Sequence, residues 1–370
     1  MLHFYIRVAI AEEFGVPIAE LPPGKLVAAI RQLGFDLVLD VNTAADLTIC
    51  EEGTELLNRL KAEVDSGKTS EMPLFTSCCP GWMTFVEKSK AEDVVENIST
   101  TKSPHMMYGA VLKEFRRELL GRDQVYLTSV MPCIKKRGES DRPCFVRTQD
   151  GRRDVDNVIT TKDLGQLLRR AAIDPTKLEA EVFDSPFQTS TDGAGTGAGQ
   201  LFGATGGVME AAVRSVYELV VGKELPRIEL DEVRGLDGVK EATLPLYDEA
   251  TGQGMSKDLR IAVVSGLANV KHLLKKLEEG EVQYDFVEVM ACPGGCINGG
   301  GQPKGGDIQA RMNAIYELDR SLPRRKSHEN PIVAELYDKF MEGEWGGKTA
   351  HLFAACPTCL RGSLRQQGQG

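Results

Sequence analysis

Apolar residues recur at helical spacing from Ile6 to Phe14, and again from the Pro22-Pro23 pair to Leu33, where Gly34 ends the pattern. Phe35 to Val41 alternates instead, as a half-buried strand does. Glu51 to Val64 returns to the helical period, and Pro73 to Ser77 is a short apolar run that stops at Cys78-Cys79-Pro80. Val125 to Val130 leads in the same way into Met131-Pro132-Cys133, and Phe286 to Met290 into Ala291-Cys292. Between these runs, Val158 to Thr161 opens a helix over Lys162 to Ala172. A Gly-, Ser- and Thr-rich stretch from Thr189 to Gly207 reads as a loop. Helices follow over Val208 to Val221 and Asn269 to Glu278, with a strand over Arg260 to Ser265 between them, and residues 306–345 read as largely helical. Strands alternating with helices, with no internal repeat, predict an α/β fold with mostly parallel sheets flanked by helices.

Three of the predicted strands run straight into cysteine. In open parallel sheets ligands gather beyond the carboxyl ends of the strands, so these sulfurs can converge. Cys292-Pro293-Gly294-Gly295-Cys296 adds a further sulfur from a turn whose glycines let backbone approach a bulky group. Four thiolates, Cys79, Cys133, Cys292 and Cys296, suit a cubane iron–sulfur cluster or a structural zinc. Compact zinc modules pair their ligands in two close knuckles, whereas Cys79 and Cys133 stand on separate strands, which favours the cubane. Cys50 and Cys144 read as small buried hydrophobes. Cys78 needs a role apart from Cys79, because neighbouring side chains in an extended segment point to opposite sides. A thiol exchanges protons when its surroundings help, which makes Cys78 a proton carrier.

Composition narrows the classes. The chain has 370 residues, 42% of them hydrophobic, enough for a large core. A net charge of -10 argues against a nucleic-acid partner. No apolar run reaches roughly 18 residues, so no membrane span is expected. The opening Met1-Leu2-His3-Phe4-Tyr5-Ile6-Arg7 lacks the zones of a signal peptide, which predicts a cytoplasmic protein. Nine cysteines, an odd number, favour reduced thiols and metal ligands over disulfides.

Three segments together resemble the signatures of the FeFe (iron-only) hydrogenases. Thr76-Ser77-Cys78-Cys79-Pro80-Gly81-Trp82 corresponds to the first, and Met131-Pro132-Cys133 with Lys136 and Glu139 to the second. Glu288-Val289-Met290-Ala291-Cys292-Pro293-Gly294-Gly295-Cys296 through Gly299-Gly300-Gly301-Gln302-Pro303 corresponds to the third. The likeness extends through Lys102-Ser103-Pro104, Phe202 to Ala211, Val233 to Ala242 and Arg325 to Asn330, and so covers nearly the whole chain. It implies one catalytic domain over residues 1–370, with two parallel-sheet lobes clasping a cluster and no accessory ferredoxin-like modules. Residues 346–370 would form a partly disordered tail.

The resemblance also implies reversible reduction of protons to dihydrogen. The cofactor would be an H-cluster, a 4Fe-4S cubane joined through one cysteine to a two-iron unit bearing CO, cyanide (CN) and azadithiolate. By position, Cys79, Cys133, Cys292 and Cys296 would ligate the cubane, with Cys296 shared with the two-iron unit. Cys78 would pass protons to the bridging amine, and Glu52, Ser99, Glu55 and Arg59 match relay positions. Lys136 would donate to a cyanide, while Met131, Pro132, Ser103, His105, Phe202, Met290 and Glu139 would line the pocket. Implied partners are ferredoxin or a similar electron carrier and the hydrogenase maturation proteins. Lys135-Lys136-Arg137 and Arg324-Arg325-Lys326 are basic clusters suited to docking an acidic carrier.

Two rival readings are a non-catalytic iron–sulfur assembly relative, against which Cys78, Lys136 and the Glu52-Ser99-Glu55 set count, and a hydrogen sensor of weak activity, which Cys78 and the absence of an attached sensory domain disfavour. The chain departs from the family in three places. His3-Phe4-Tyr5 stands where a small Ala-Pro segment is usual, His105 replaces a common glutamine, and Cys356-Pro357-Thr358-Cys359 lies outside the pattern.

Overall fold

The strand ends that deliver cysteine belong to two separate sheets. The computed structural model describes residues 1–341 and 343, apart from 3, 68–71, 90–91, 147–150 and 190–194. Six strands occur among the described residues: β1 (Leu74–Phe75), β2 (Thr128–Met131), β3 (Asn157–Thr160), β4 (Val239–Tyr247), β5 (Gly254–Ser265) and β6 (Phe286–Met290). The larger sheet has the order β1-β6-β5-β4, parallel except for the antiparallel β4 edge. The smaller one is the parallel pair β2-β3.

β6 is buried along its whole length, as a strand covered by helices on both faces must be. Alternation puts Phe286, Glu288 and Met290 on one face and Val287 and Val289 on the other. Phe286 and Met290 join Leu74, Ile261 and Val263 in a core closed by Val208, Ala212 and Val216 of the helix Gly207–Val221. Val287 and Val289 pack with Phe75, Ala262 and Val264 under Trp82 and Val86 of the helix Pro80–Ser89 and Val270 and Leu273 of the helix Leu267–Glu278. Around the smaller sheet, Val130 packs with Ile6, Ile10, Leu164 and Leu168, while Met131 faces a separate group with Met106, Val155 and Val158.

The helix predicted over Glu51 to Val64 in fact runs Asn42–Ser66. Its first half, Ala44, Ala45, Leu47, Ile49 and Cys50, is buried all round, so it shows no one-sided apolar stripe and its start is hidden from the pattern. It ends at Gly67, whose left-handed φ of 66° lets its N–H reach back to the Glu63 carbonyl. This long helix packs on Gly207–Val221 and on Pro104–Glu114, and so joins the two sheet systems.

The strand expected over Phe35 to Val41 shrinks to one bridge, Asp40 to Leu2, which in turn bridges Val130. Phe35 and Leu37 are exposed, and only the run from Val38 enters the core, so the alternation there has no buried face to support it. The loop expected from Thr189 to Gly207 contains a short helix, Gly197–Leu201, started by the Thr196 hydroxyl accepting from the Gly199 N–H. No helix among the described residues is long and apolar enough to cross a membrane.

Candidate metal centre

Cys78 and Cys79 occupy the turn between β1 and the helix Pro80–Ser89, Cys133 the turn between β2 and the helix Lys135–Ser140, and Cys292 and Cys296 the turn after β6. The four sulfurs of Cys79, Cys133, Cys292 and Cys296 come together from both sheets. Burial raises the thiols of Cys133, Cys292 and Cys296, and the neighbouring sulfurs of the set raise each further. Cys292 is pushed up to about 11. Four thiolates crowded into such a place need a cation to neutralise them, which is the donor chemistry of a metal site. Among the described residues, no three His, Cys, Asp or Glu side chains close around one point as a lone ion demands. Ligands carried on separate turns of two sheets suit a multi-iron cluster better than a compact zinc knuckle.

Backbone contacts hold the sulfurs in place. The Ala291 N–H donates to Cys79 Sγ at 3.3 Å. Gly295, at φ +93°, bridges Ala204 so closely that a Cβ there would lie 2.7 Å from the Gly203 oxygen and the Thr205 nitrogen. A Cβ at Gly299 would lie 2.5 Å from the Pro132 oxygen, and the Gly301 N–H donates to that same oxygen at 2.8 Å. The loop after Cys296 is therefore clamped on the turn that carries Cys133.

Cys78 is buried on the other side of its turn, facing acid. Burial raises its thiol, the nearby Glu52 raises it further, and Lys136 opposes both. Burial also lifts the Glu52 carboxyl to about 8, helped by Glu55 and only partly offset by Ser99 and the Ser77 amide. Glu52 Oε2 takes no hydrogen bond among the described residues. Ser99, placed by the Phe75–Ile98 bridge, donates to Glu55 Oε2 at 2.9 Å. Arg59 donates to Glu55 Oε1 at 2.7 Å, and both side chains are part-exposed. A line of proton-bearing groups thus runs from the buried thiol outward along one helix face.

Lys136 donates to the Cys78 carbonyl at 2.8 Å and pairs with Glu139 Oε2 at 2.9 Å. Burial alone would lower its pKa, but Glu139, Cys78 and Cys296 outweigh it and hold the ammonium charged. Burial would raise Glu139, yet Lys136 and His105 pull it well below the usual carboxylate range. Ser103 donates to Glu139 Oε1 at 2.7 Å, and His105 Nε2 shares Oε2 at 3.0 Å. Burial lowers His105, so its ring is neutral and donates from Nε2. His105 therefore faces the carboxylate that orients Lys136. Met131, Pro132, Phe202 and Met290 are all buried, and Phe202 and Met290 share a core with Cys78.

Several expectations change. Arg325 is paired with Asp319 and Glu229, and Lys326 with Glu218, Glu224 and Glu329, so the second basic cluster is largely neutralised. Lys136 is inside, which leaves exposed Lys135 and Arg137 of the first cluster. Cys50 is buried and Cys144 half-buried, away from the sulfur set. His3, the Phe4 side chain, Cys356, Cys359 and the tail 346–370 lie outside the described residues. Glu288 and Gln302 were read only as parts of a motif. Glu288 accepts from the Gly206 and Met209 amides at 2.7 Å each and so anchors the start of the helix Gly207–Val221. Gln302 joins Thr161 to the Tyr5 carbonyl. An acid in a strand buried on both faces was the available signal for Glu288.

Two largely parallel sheets whose strand ends carry these four cysteines define an α/β protein with a candidate thiolate metal centre. Residues 3–300 match the family described as iron only hydrogenase large subunit, C-terminal domain, and residues 307–353 match iron hydrogenase small subunit, so the chain belongs to the iron-only hydrogenase family. It is 45% identical over 342 residues to the NADP-reducing hydrogenase subunit HndD of Solidesulfovibrio fructosivorans, covering 91% of this chain and 56% of that protein. It is 33% identical over 333 residues to the cytosolic iron-sulfur assembly component 3 of Mus musculus, covering 89% of this chain and 67% of that one. A single-residue variant of the apo FeFe-hydrogenase HydA1 from Chlamydomonas reinhardtii superposes with a TM-score of 0.82 at 40% identity, covering 95% of this chain and 91% of that chain. The chain thus spans little more than half the length of the HndD subunit.

Proposed function

We propose that this chain acts as one two-lobed FeFe-hydrogenase catalytic domain, reversibly reducing protons to dihydrogen with electrons from an external carrier such as ferredoxin. The observation that carries this reading is the division of labour at one turn. Cys79 joins three other sulfurs while Cys78, beside it, meets a buried carboxyl held protonated to about pH 8. An iron–sulfur assembly role, which the mouse relative's name carries, has no use for that second arrangement.

Cys79, Cys133, Cys292 and Cys296 would hold the cluster. When bound, the H-cluster supplies the electrons and the iron site for hydrogen chemistry. Cys78 holds a proton at its sulfur and is reloaded from Glu52, which is reloaded through Ser99 from Glu55. Arg59 fixes Glu55 at the outer end. Lys136 would offer its ammonium to an anionic ligand of the cluster, and Glu139, itself set by Ser103 and His105, keeps the ammonium in place. Met131, Pro132, Phe202 and Met290 exclude water.

Exposed Ile134, Lys135 and Arg137 beside part-exposed Cys133 suit an acidic electron carrier. Maturation proteins would install the two-iron unit, and the cytoplasm would keep the thiols reduced. The test is infrared spectroscopy with a hydrogen-evolution assay on protein carrying the cubane and matured with the two-iron unit. Bands of bound carbon monoxide and cyanide with turnover are expected. No bands after maturation would overturn the reading, and bands with only trace turnover would indicate a sensor.

A further inference from the structure

Glu288 lies on β6, four residues before Cys292, and is fully buried. A carboxylate taken out of water needs donors. It finds them in main chain: the Gly206 and Met209 amides donate to its two oxygens at 2.7 Å each. Gly206, at the cap of the helix Gly207–Val221, has no side chain to accept these amides, so a strand from across the core does so. Lys240 of β4, also buried, holds the preceding residue: its ammonium donates to the Thr205 carbonyl at 3.1 Å and to the Gly235 carbonyl at 3.0 Å. Two ionisable side chains thus close on Thr205-Gly206, and neither has a part in the sulfur set or the proton route.

The same stretch of chain is the main-chain partner of the turn that carries Cys296. Ala204 bridges Gly295, the Thr205 N–H donates to the Gly294 carbonyl at 3.2 Å, and the Ile297 N–H donates to the Gly203 carbonyl at 3.1 Å. These contacts close a ring. It runs from Glu288 along β6 to Cys292, around the turn to Ile297, across to Gly203, and on to Gly206, whose amide returns to Glu288. Phe202, which shares a core with Cys78 and Met290, directly precedes residues 203–206. A hydrogen-bonded ring is cooperative, so a break at one link weakens the others.

We propose that Glu288 and Lys240 are positioning residues of the metal centre: by gripping Thr205 and Gly206 they hold residues 203–206, and through them the turn 292–297, in the shape that receives a cluster. This role rests on the reading of the four cysteines as cubane ligands and not on hydrogen turnover. Glu288→Gln keeps the size of the side chain but offers one acceptor oxygen where two amides point. Lys240→Met keeps the apolar stem and drops both donated bonds.

The experiment is hydrogen–deuterium exchange read by mass spectrometry on cubane-only protein, with iron analysis and electron paramagnetic resonance of the reduced cluster. Wild type, Glu288→Gln and Lys240→Met are compared. Both variants should hold about four irons per chain. They should exchange roughly 10-fold or more faster at residues 203–209 and 294–297, the scale of one lost hydrogen bond to a charged group, while β2 and β3 exchange as in wild type. Their resonance should be displaced. Faster exchange at 206–209 alone would make Glu288 a helix cap and overturn the role. Unchanged exchange at 294–297 in Lys240→Met would overturn it even where Glu288→Gln does not fold. Faster exchange throughout the chain, or a loosened turn with an unmoved resonance, would reduce both residues to general stability and overturn it as well. A wild type that takes up no iron would overturn the cubane reading, and with it any role at a cluster. A wild type with four irons and variants with unchanged local exchange would overturn the positioning role alone.

Discussion

The sulfur side and the acid side of the centre meet at Cys78-Cys79 but are built by different means. The four sulfurs of Cys79, Cys133, Cys292 and Cys296 are placed by backbone: strand ends from two sheets, and glycines at 295 and 299 where even a Cβ would collide with neighbouring main chain. The acid side, Glu52, Ser99, Glu55 and Arg59, is placed by side-chain hydrogen bonds along one helix and passes from full burial to partial exposure. A site fixed by backbone fails all at once, because no neighbour can substitute for a missing ligand. A chain of hydrogen bonds fails by degrees.

The largest expected effect tests the sulfur side. Cys79→Ser or Cys296→Ser should reduce bound iron from about four per chain to a small fraction after reconstitution, since the cubane loses one of four thiolates. Iron analysis and visible absorbance read this directly, and near-normal iron would break the comparison. Next, Cys78→Ala should keep the iron and the infrared bands while lowering turnover roughly 10²-fold or more, the usual scale for losing a positioned proton donor. Loss of iron in that variant would move Cys78 to the sulfur side.

The smallest effect concerns Glu52. Its carboxyl titrates at about 8 when folded, above its unfolded value of 4.5, so the stability it permits is full only below 4.5 and is lost progressively as the pH rises from there through about 8. Glu52→Gln stays neutral throughout. Its melting temperature should therefore gain on wild type by a few degrees as the pH rises from 6 to 9, because wild type is still losing stability over that range, while turnover falls. Parallel melting curves at both pH values would show that Glu52 is not a buried, neutral acid.

The cysteine-bearing strands were legible because buried parallel strands are short, continuous and apolar; Phe286 to Met290 emerges with its predicted bounds. The edge strand Val239–Tyr247 was not, since its residues alternate only weakly between buried and exposed and include Lys240, Glu241 and Pro245. The turns that carry Cys79, Cys133, Cys292 and Cys296 were legible as the ends of the cysteine-bearing strands. The neutralising of Arg325 and Lys326 was not: Glu229, Glu218 and Glu224, some 100 residues away in sequence, meet them only in the fold. The sharing of one Glu139 oxygen by Lys136 and His105 is likewise a matter of rotamers and distance, which no spacing rule encodes.

The helix Asn42–Ser66 has one further consequence. Each residue turns an α-helix by about 100°, so Glu52, Glu55 and Arg59 share a face only by their phase along a single screw. Inserting one alanine between Glu52 and Glu55 would preserve every functional side chain and the helix itself. Yet it would rotate the outer half of the screw by about a quarter-turn relative to the inner half. In that sense the helix is the timing shaft of the molecule, and its register, as much as its chemistry, sets whether Glu52, Glu55 and Arg59 face the same side.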